Sequence, residues 1–199
     1  MSNPLIEAIK QRRTQYVLGK TLPLPQEDVT ALVEQAVRLS PSSFNSQSSR
    51  AVILYGAQSE KFWGIVKEAL RKIVPAEAFG ATEKKIDSFA AGAGTVLFYE
   101  DQDIVKGLQE QFPLYAENFP VWSEQASGMA QFAVWTALAT AGIGASLQHY
   151  NPLPDAAAAA EWNLPGTWKL RAQMPFGSNE APFLEKEFMD DAQRFRVFA

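Results

Sequence analysis

Apolar residues recur at helical spacing along much of the chain. The clearest stripe is Val29, Leu32, Val33, Ala36 and Val37, which fall at i, i+3, i+4, i+7 and i+8. This spacing predicts one amphipathic helix that ends before Pro41. Similar patterns predict further helices over 4–11, 62–73, 104–112 and 155–162, and a weaker one over 82–91.

The longest predicted helix runs from Pro120 to about Ala141. Its first turns are amphipathic, but from Met129 onward it is nearly apolar all round. A helix without a polar face is buried on all sides. We therefore expect this helix to lie in a core or in a subunit interface.

Short apolar runs rich in β-branched residues predict buried strands at 51–55 and 94–99, and 145–148 can form a third. Alternation over 168–176 predicts a half-buried strand of the kind found in antiparallel sheets. Because helices and strands are interspersed, we expect a sheet with helices on both faces. No repeat or linker divides residues 1–199, which predicts a single domain. The tail after Gly177 shows no clear period.

Composition narrows the partners of the protein. The 199 residues carry a net charge of −4 and no basic block, which argues against nucleic-acid binding. The start of the chain lacks the charged and apolar regions of a signal peptide. The apolar segment 126–147 contains Ser, Gln and Thr residues, so we interpret it as a buried helix rather than a membrane span. We expect a cytoplasmic protein that does not bind membranes.

The chain has no cysteine and a single histidine, His149. Thiolate catalysis is thereby excluded, and a zinc site without cysteine needs two or three histidines. A Ser-His-Asp hydrolase would carry G-x-S-x-G, but residues 144–148 lack the second glycine. Gly142-Ile143-Gly144 likewise lacks the third glycine of a dinucleotide fingerprint. The pattern favours a hydrogen-bonded structural role for His149 over that of a catalytic base.

Two polar segments favour a bound cofactor instead. The loop 41–50 offers hydroxyls and carboxamides around one large apolar residue, Phe44. Such groups can meet a flat polar heterocycle from several directions. Arg12-Arg13-Thr14 lies at a helix end and can hold a phosphate, although cations also favour helix C-termini. Flavin mononucleotide (FMN) combines one phosphate with a flat ring and carries its own chemistry.

Three pieces of the chain resemble the nitroreductase family of FMN-dependent oxidoreductases. They are Arg12-Arg13-Thr14, the loop from Pro41 to Gln47, and the segment from Gly142 to Pro152. Their order and spacing match over roughly residues 5–196. The short length and Arg12-Arg13-Thr14-Gln15-Tyr16 resemble the small subgroup that includes the fungal fatty-acid-repression-type proteins.

The resemblance implies an α+β fold, namely a three-layer sandwich with a mostly antiparallel central sheet. It further implies an intertwined homodimer with two FMN sites at the subunit interface. The helix over 121–141 would then form the dimer core. Two departures from the family pattern are Tyr16, where a basic residue is common, and Ser48-Ser49, which replace the usual Pro-aromatic pair.

The resemblance also implies roles for individual residues. Phosphate and ribityl oxygens would be held by Arg12, Arg13 and Thr14. Ser42 and Ser43 would approach the flavin ring from the partner subunit, with Asn45 and Gln47 fixing the loop or the ring edge. Backbone N–H groups near the ring would come from Ser146, Leu147, Gln148 and His149. One basic residue of the tail would complete the phosphate site, and the candidates are Lys186, Arg194 and Arg196.

The implied activity is reduction of nitroaromatic or quinone-type acceptors by NAD(P)H, with ping-pong hydride transfer through the flavin. The alternatives are a flavin-binding regulator or redox sensor with little turnover, and a domain that binds an apolar ligand without flavin. Candidate aromatic residues on the substrate side are Phe79, Tyr115, Phe119 and Trp122, for each of which core packing is the competing role.

Overall fold

The computed structural model describes residues 3–199, so Met1 and Ser2 of the predicted domain lie outside the described residues. The helices are α1 (Pro4–Gln11), α2 (Gln26–Leu39), α3 (Ala57–Arg71), α4 (Phe79–Ala90), α5 (Gln102–Gln111), α6 (Phe119–Thr140), α7 (Asp155–Glu161) and α8 (Asp191–Arg194). The strands are β1 (Leu18–Gly19), β2 (Ser49–Tyr55), β3 (Gly94–Asp101), β4 (Gly144–Ala145) and β5 (Trp168–Asn179).

These strands form one antiparallel sheet in the order β1-β5-β3-β2, with β4 also paired to β5. The register of the central pair places Val96 opposite Met174 and Leu97 opposite Gln173. On the other side of β3, Val52 lies opposite Leu97. The prediction of a mostly antiparallel sheet in an α+β domain is confirmed.

Alternate residues of β3 and β5 point to opposite faces of the sheet, and both faces are covered by helices. Val96, Ala172 and Met174 pack with residues of α2 and α6 in one core. Leu97 and Leu170 pack with residues of α3 and α4 in the other. The fold therefore has the three layers that were predicted.

Several predicted elements needed correction. The strand expected at 145–148 is reduced to Gly144–Ala145, followed by a single bridge from Gln148 to Gln173. Strand β5 continues past Phe176 to Asn179, because β1 pairs with its last residues. Helix α3 begins five residues before the predicted start, in a segment without a regular apolar spacing.

Helix α6 is only partly buried in the single chain. Val134 and Leu138 are fully enclosed, whereas Met129 and Phe132 expose 41% and 42% of their surface. The single chain therefore does not bury this helix on every side and leaves an apolar face uncovered, so its place in a core is excluded and its place in a subunit interface stays a prediction. Within the described residues, no helix is long and apolar enough to cross a bilayer.

At Gly177, three backbone segments approach one another closely. A Cβ atom at this position would lie 2.0 Å from the carbonyl oxygen of Gly19 and 2.9 Å from the nitrogen of Ala93. A Cβ at Gly107, inside α5, would meet no atom within 4 Å. A glycine-to-alanine change therefore has opposite consequences at these two positions.

We predict that Gly177→Ala lowers the free energy of unfolding by about 1–3 kcal/mol, because backbone atoms must move apart. Gly107→Ala should raise it by about 0.5–1 kcal/mol, because alanine favours a helix interior. Urea denaturation followed by circular dichroism measures both changes. Equal stability of Gly177→Ala and the unmodified protein would contradict this packing.

Candidate cofactor site

Helix α1 delivers two arginines to the surface in a defined direction. The side chain of Asn3 caps its first turn by accepting from the N–H of Leu5 at 2.9 Å. The helix ends at Arg12, whose backbone is extended (φ −68°, ψ 104°) and whose N–H still donates to the carbonyl of Ala8. From this residue the chain leaves the helix axis, so Arg12 and Arg13 project beyond the last turn.

A groove of ≈ 490 Å³ lies between this helix end and the tail of the chain. Three cationic side chains that the sequence pointed to, Arg12, Arg13 and Lys186, contribute to its walls. The other lining residues are Ile9, Lys10, Phe183, Leu184, Glu185 and Phe188. Arg194 and Arg196 are not among them. Of the three tail candidates, the structure therefore places Lys186 beside the arginine pair.

The two arginines carry charge that the protein does not neutralise. In the described part of the chain, neither guanidinium forms an ion pair with a carboxylate. Burial and, secondarily, the charge of Arg13 lower the pKa of Arg12. Because like charges this close repel each other, an anion in the groove would be stabilised.

Two contacts hold the arginines in place. The guanidinium of Arg12 lies 4.4 Å from the centroid of the Trp135 ring, a cation–π arrangement. Arg13 donates to the carbonyl of Leu184 and so ties the tail to the end of α1. Nothing in the sequence around Trp135 pointed to this role, because it lies within an apolar stretch of α6.

Gln15 joins the segments that form the groove. Its backbone N–H donates to Ala145 at 2.9 Å, and its buried side chain donates to the carbonyl of Ala181 at 2.7 Å. Thr14 forms a parallel bridge with Ala145. The N-terminal arginines, β4 and the start of the tail are therefore held together through one glutamine.

The segment 146–149 divides into residues that face β5 and residues that do not. The N–H groups of Ser146 and Gln148 donate to Pro175 and Gln173, at 3.2 and 2.7 Å. Their side chains are buried and bonded to each other at 3.0 Å. Both N–H groups are therefore already engaged by the sheet, which leaves Leu147 and His149 as the candidates for donation to a ligand.

His149 is exposed. The expectation of a hydrogen-bonded structural histidine is therefore wrong. The physical reason lies in the alternation of this segment: Gln148 turns inward to the sheet, so the next side chain turns outward.

The loop 41–50 has a strained backbone. Phe44, Asn45 and Gln47 all have positive φ, at 55°, 49° and 48°. Asparagine visits this region readily, but for other residues it costs about 1–3 kcal/mol. Ser42 stabilises the turn, because its hydroxyl accepts from the N–H of Gln47 at 3.0 Å. Ser43 begins the short 3-10 turn that contains Phe44.

The far end of this loop is fixed to the end of β3. The hydroxyls of Ser48 and Ser49 both donate to the carboxylate of Glu100, the former at 2.6 Å. Arg50 bonds Asp101 at 3.1 Å and the carbonyl of Gln47 at 2.6 Å. Glu100 is fully buried, and this burial raises the pKa of its carboxyl group.

No pattern along the chain pointed to this anchor. Glu100 and Asp101 follow an apolar strand, where acidic residues usually begin a solvated turn. The unusual Ser48-Ser49 pair now has a structural explanation, because each serine supplies one hydrogen bond to a buried acid.

Phe44 belongs to an aromatic patch whose other members are Phe112, Tyr115, Phe119 and Trp122. Its ring centroid lies 4.8 Å from that of Phe112 and 5.3 Å from that of Phe119. The Phe44 and Trp122 rings are stacked at 6.0 Å with an interplanar angle of 19°. Half of the Phe44 surface is exposed. The patch therefore offers an apolar aromatic surface next to the polar loop.

The fourth aromatic candidate, Phe79, lies elsewhere. It is 5% exposed in the core between the sheet and helices α3 and α4, and the Arg71 guanidinium lies 4.2 Å from its ring. Its assignment to the substrate side is not supported, because its ring is enclosed by the core on the opposite face from α6.

The two halves of the predicted site line different clefts of the single chain. No residue of the loop 41–50 lines the groove that contains Arg12 and Arg13. Ser42 and Gln47 instead line a separate cleft with Arg38. The uncovered apolar face of α6 extends between α1, α2 and Pro41, the first residue of the loop.

The protein is an α+β protein with helices on both faces of an antiparallel sheet, and it carries a cationic groove at the end of α1. A model described as the nitroreductase family matches residues 9–178, and the chain belongs to this family. FRM2, a nitroreductase of Saccharomyces cerevisiae, is 35% identical over 188 residues, which are 94% of this chain and 93% of FRM2.

Solved structures show the same relationship. Nitroreductase CinD from Lactococcus lactis, in complex with 4-nitrophenol, is 54% identical with a TM-score of 0.90, and covers 98% of this chain and 100% of CinD. CinD in complex with chloramphenicol is 52% identical over the same shares, with a TM-score of 0.91. A nitroreductase with bound FMN from Desulfitobacterium hafniense DCB-2 shares the fold, with 12% identity, a TM-score of 0.72 and all of both chains covered.

Glu100 makes a prediction about pH. Because its pKa is raised in the folded state, the folded protein holds this proton more tightly than the unfolded chain, whose carboxyl has a pKa near 4.5. The stability that the Glu100 proton contributes is fully present below the pKa of the unfolded chain, and it is lost as the pH rises through the pKa of the folded state. The unfolding free energy of the unmodified protein, minus that of Glu100→Gln, should therefore fall as the pH rises from 4.5.

Urea denaturation of the two proteins across this pH range measures the difference. Subtracting the Glu100→Gln curve removes the contributions of all other titrating groups. A difference that stays constant, or that grows with pH, would contradict the assigned direction of the shift.

Proposed function

We propose that this protein is an FMN-dependent oxidoreductase that takes hydride from NAD(P)H and reduces nitroaromatic or quinone-type acceptors. The observation that carries the proposal is the groove with Arg12, Arg13 and Lys186, in which the two guanidinium groups have no carboxylate partner among residues 3–199. A phosphate monoester is the ligand that such a donor set suits.

The residues present fit FMN. Arg12 and Arg13 offer several N–H donors in a fixed geometry, and Trp135 restrains the first of them by lying against its guanidinium. Lys186 adds a third cation, while the acidic Glu185 in the same lining is exposed. Thr14 adds a hydroxyl at the start of the segment that is bridged to Ala145. Phosphate and neighbouring ribityl oxygens would bind here.

When bound, FMN supplies the hydride transfer itself, in ping-pong fashion between the donor and the acceptor. The protein's part is to orient the reactants and to place N–H donors where negative charge develops. Leu147 and His149 are the residues of the 146–149 segment whose N–H groups are free of the β5 bonds made by Ser146 and Gln148. They are our candidates for this role.

A homodimer would bring the two halves of the site together. Leu5, Leu39, Met129 and Phe132 expose 62%, 80%, 41% and 42% of their surface along the apolar face of α1, α2 and α6. Burial of such a face against a second copy is favourable at roughly 25 cal/mol per Å². The loop beside this face would then reach the partner's cofactor.

Within such a dimer, Ser42, Ser43, Asn45 and Gln47 would contribute to the flavin site of the other subunit. Ser42 already uses its hydroxyl inside the loop, so its contact with the flavin would come through the same oxygen or through its backbone. The aromatic patch around Phe44 would lie next to the acceptor. CinD, a relative of this chain, is known in complex with 4-nitrophenol, which is a flat aromatic molecule of this kind.

A purified sample tests the proposal directly. We expect the protein to bind added FMN, and the loaded protein to oxidise NADH or NADPH faster when p-benzoquinone or a nitroaromatic is present. A protein that binds no FMN would overturn the proposal. FMN binding with slow NAD(P)H oxidation, whatever the acceptor, would instead indicate a flavin-binding regulator or sensor.

We predict that Arg12→Ala weakens FMN binding about 10- to 150-fold. A charge-assisted hydrogen bond is worth about 1.5–3 kcal/mol, and every 1.4 kcal/mol corresponds to a factor of ten. Titration of the cofactor-free protein with FMN, followed by quenching of flavin fluorescence, measures the change. Unchanged affinity would remove Arg12 from the site.

Lys186 and Arg194 form a matched pair of tail cations, because both are exposed but only Lys186 lines the groove. We expect Lys186→Ala to weaken FMN binding about 2- to 5-fold, since an exposed ionic contact is worth under ~1 kcal/mol. Arg194→Ala should leave the dissociation constant unchanged. The reverse order of effects in the same titration would show that the tail binds differently.

A further inference from the structure

The backbone of the loop 41–50 needs to be held in place. Three of its residues, Phe44, Asn45 and Gln47, are non-glycine residues at positive φ, and all three are exposed. Such a conformation persists only when the surroundings impose it. Because these residues are exposed, core packing does not impose their conformation. The exception is the Phe44 ring, which contacts the aromatic patch.

The two ends of the loop are held in different ways. At the first end, the carbonyl and hydroxyl of Ser42 accept from the N–H groups of Asn45 and Gln47, both at 3.0 Å. At the second end, Ser48 and Ser49 donate to Glu100 on β3, the Ser48 carbonyl accepts from the N–H of Asp101 at 2.9 Å, and Arg50 donates to the carbonyl of Gln47 at 2.6 Å. The loop therefore depends on β3 for its position relative to the sheet.

Glu100 is an unusual anchor because it is a buried acid without a cation of its own. Two charged groups act on it, Arg50 from β2 and Glu124 from α6. The guanidinium of Arg50 is bonded to Asp101, and Glu124 is bonded to Arg171 at 2.7 Å. An isolated carboxyl group in a protein interior is costly. An apolar residue here would favour stability but could not bond both serines.

We infer that Glu100 is a positioning residue for the flavin-binding loop: its two oxygens, through Ser48 and Ser49, hold the Phe44–Gln47 turn in its left-handed conformation. The inference rests on the proposed function where it concerns the cofactor. It means that a residue without contact to the flavin controls flavin affinity. In a homodimer, the affected cofactor would be the partner's.

The hydrogen-bond geometry can be tested by comparing two substitutions. Glu100→Gln keeps both contacts, because the amide accepts from one hydroxyl and donates to the other. Glu100→Ala removes both. We expect FMN affinity to fall about 5- to 100-fold in Glu100→Ala, because the turn must be re-formed on binding, and to change less than about 3-fold in Glu100→Gln.

A matched control separates positioning from general stability. Thr95 lies near the opposite end of β3 and is fully buried, where it bonds Ser59 at 2.7 Å and the indole N–H of Trp63 at 2.9 Å. Thr95→Val also removes buried hydrogen bonds of β3, but far along the strand from the loop. We expect it to lower stability and to leave FMN affinity unchanged.

Hydrogen exchange of the cofactor-free protein tests the loop independently of flavin. Amides of residues 43–47 should exchange about 10-fold faster, or more, in Glu100→Ala than in Glu100→Gln or Thr95→Val. This factor is of the same order as the expected loss of FMN affinity, because both measure how much of the time the turn is formed. If Glu100→Ala does not fold, Ser49→Ala removes one of the two bonds at a half-buried position. It should change exchange and affinity in the same direction by a smaller factor.

Three results would overturn the inference. They are unchanged exchange over 43–47 in a folded Glu100→Ala or Ser49→Ala protein, a Glu100→Gln protein as impaired as Glu100→Ala, and an equal loss of FMN affinity in Thr95→Val. Failure of the unmodified protein to bind FMN would instead count against the proposed function. The exchange experiment would still decide whether Glu100 holds the loop.

Discussion

The pairing of β3 with β5 is the interaction on which the rest of the structure depends. Both strands are covered by helices on both faces, so their side chains supply the centre of each core. The same two strands also carry the parts of the site. β5 bonds the segment 146–149 and leads into the tail, while the end of β3 anchors the loop 41–50. A rigid sheet thereby positions polar segments that have little core of their own.

Charge balance explains why the groove suits an anion. Seven cationic side chains among residues 3–199 have an acidic partner, such as Lys67 with Asp87 or Arg171 with Glu124. Arg12 and Arg13 do not, within the residues described. They are placed by a helix end and by the ring of Trp135, contacts that fix geometry without neutralising charge. A site of this kind gains its compensating charge from the ligand.

Sequence periodicity could predict helices α1 to α7 and strands β2, β3 and β5, because each carries a regular apolar pattern. It could not predict elements created by contacts between distant segments. Strand β1 has two residues and exists because β5 passes beside it. Residue roles followed the same division. The arginine pair and the polar loop were recognisable as motifs; the arginines line a groove, whereas the loop lines a separate cleft of the single chain.

Other residues could not have been assigned without the structure. Glu100 has the appearance of a solvated turn in the sequence but lies buried beneath Ser48. His149 was expected to have a hydrogen-bonded structural role and is exposed, because Gln148 takes the inward position. Phe79 lies in a core, whereas Phe44 joins the aromatic patch. In each case the outcome depends on the direction of a single side chain, which apolar spacing does not specify.

We propose that the protein uses a bound flavin to pass electrons from a nicotinamide donor to an aromatic acceptor. Anaerobic rapid mixing is the sharpest test, because the two halves of the reaction can be observed separately. We expect NADH or NADPH to remove the flavin absorption of the FMN-loaded protein, and a quinone or nitroaromatic then to restore it. Each step must be at least as fast as steady-state turnover. Flavin absorption that NAD(P)H leaves unchanged, or that no such acceptor restores, would contradict the claim.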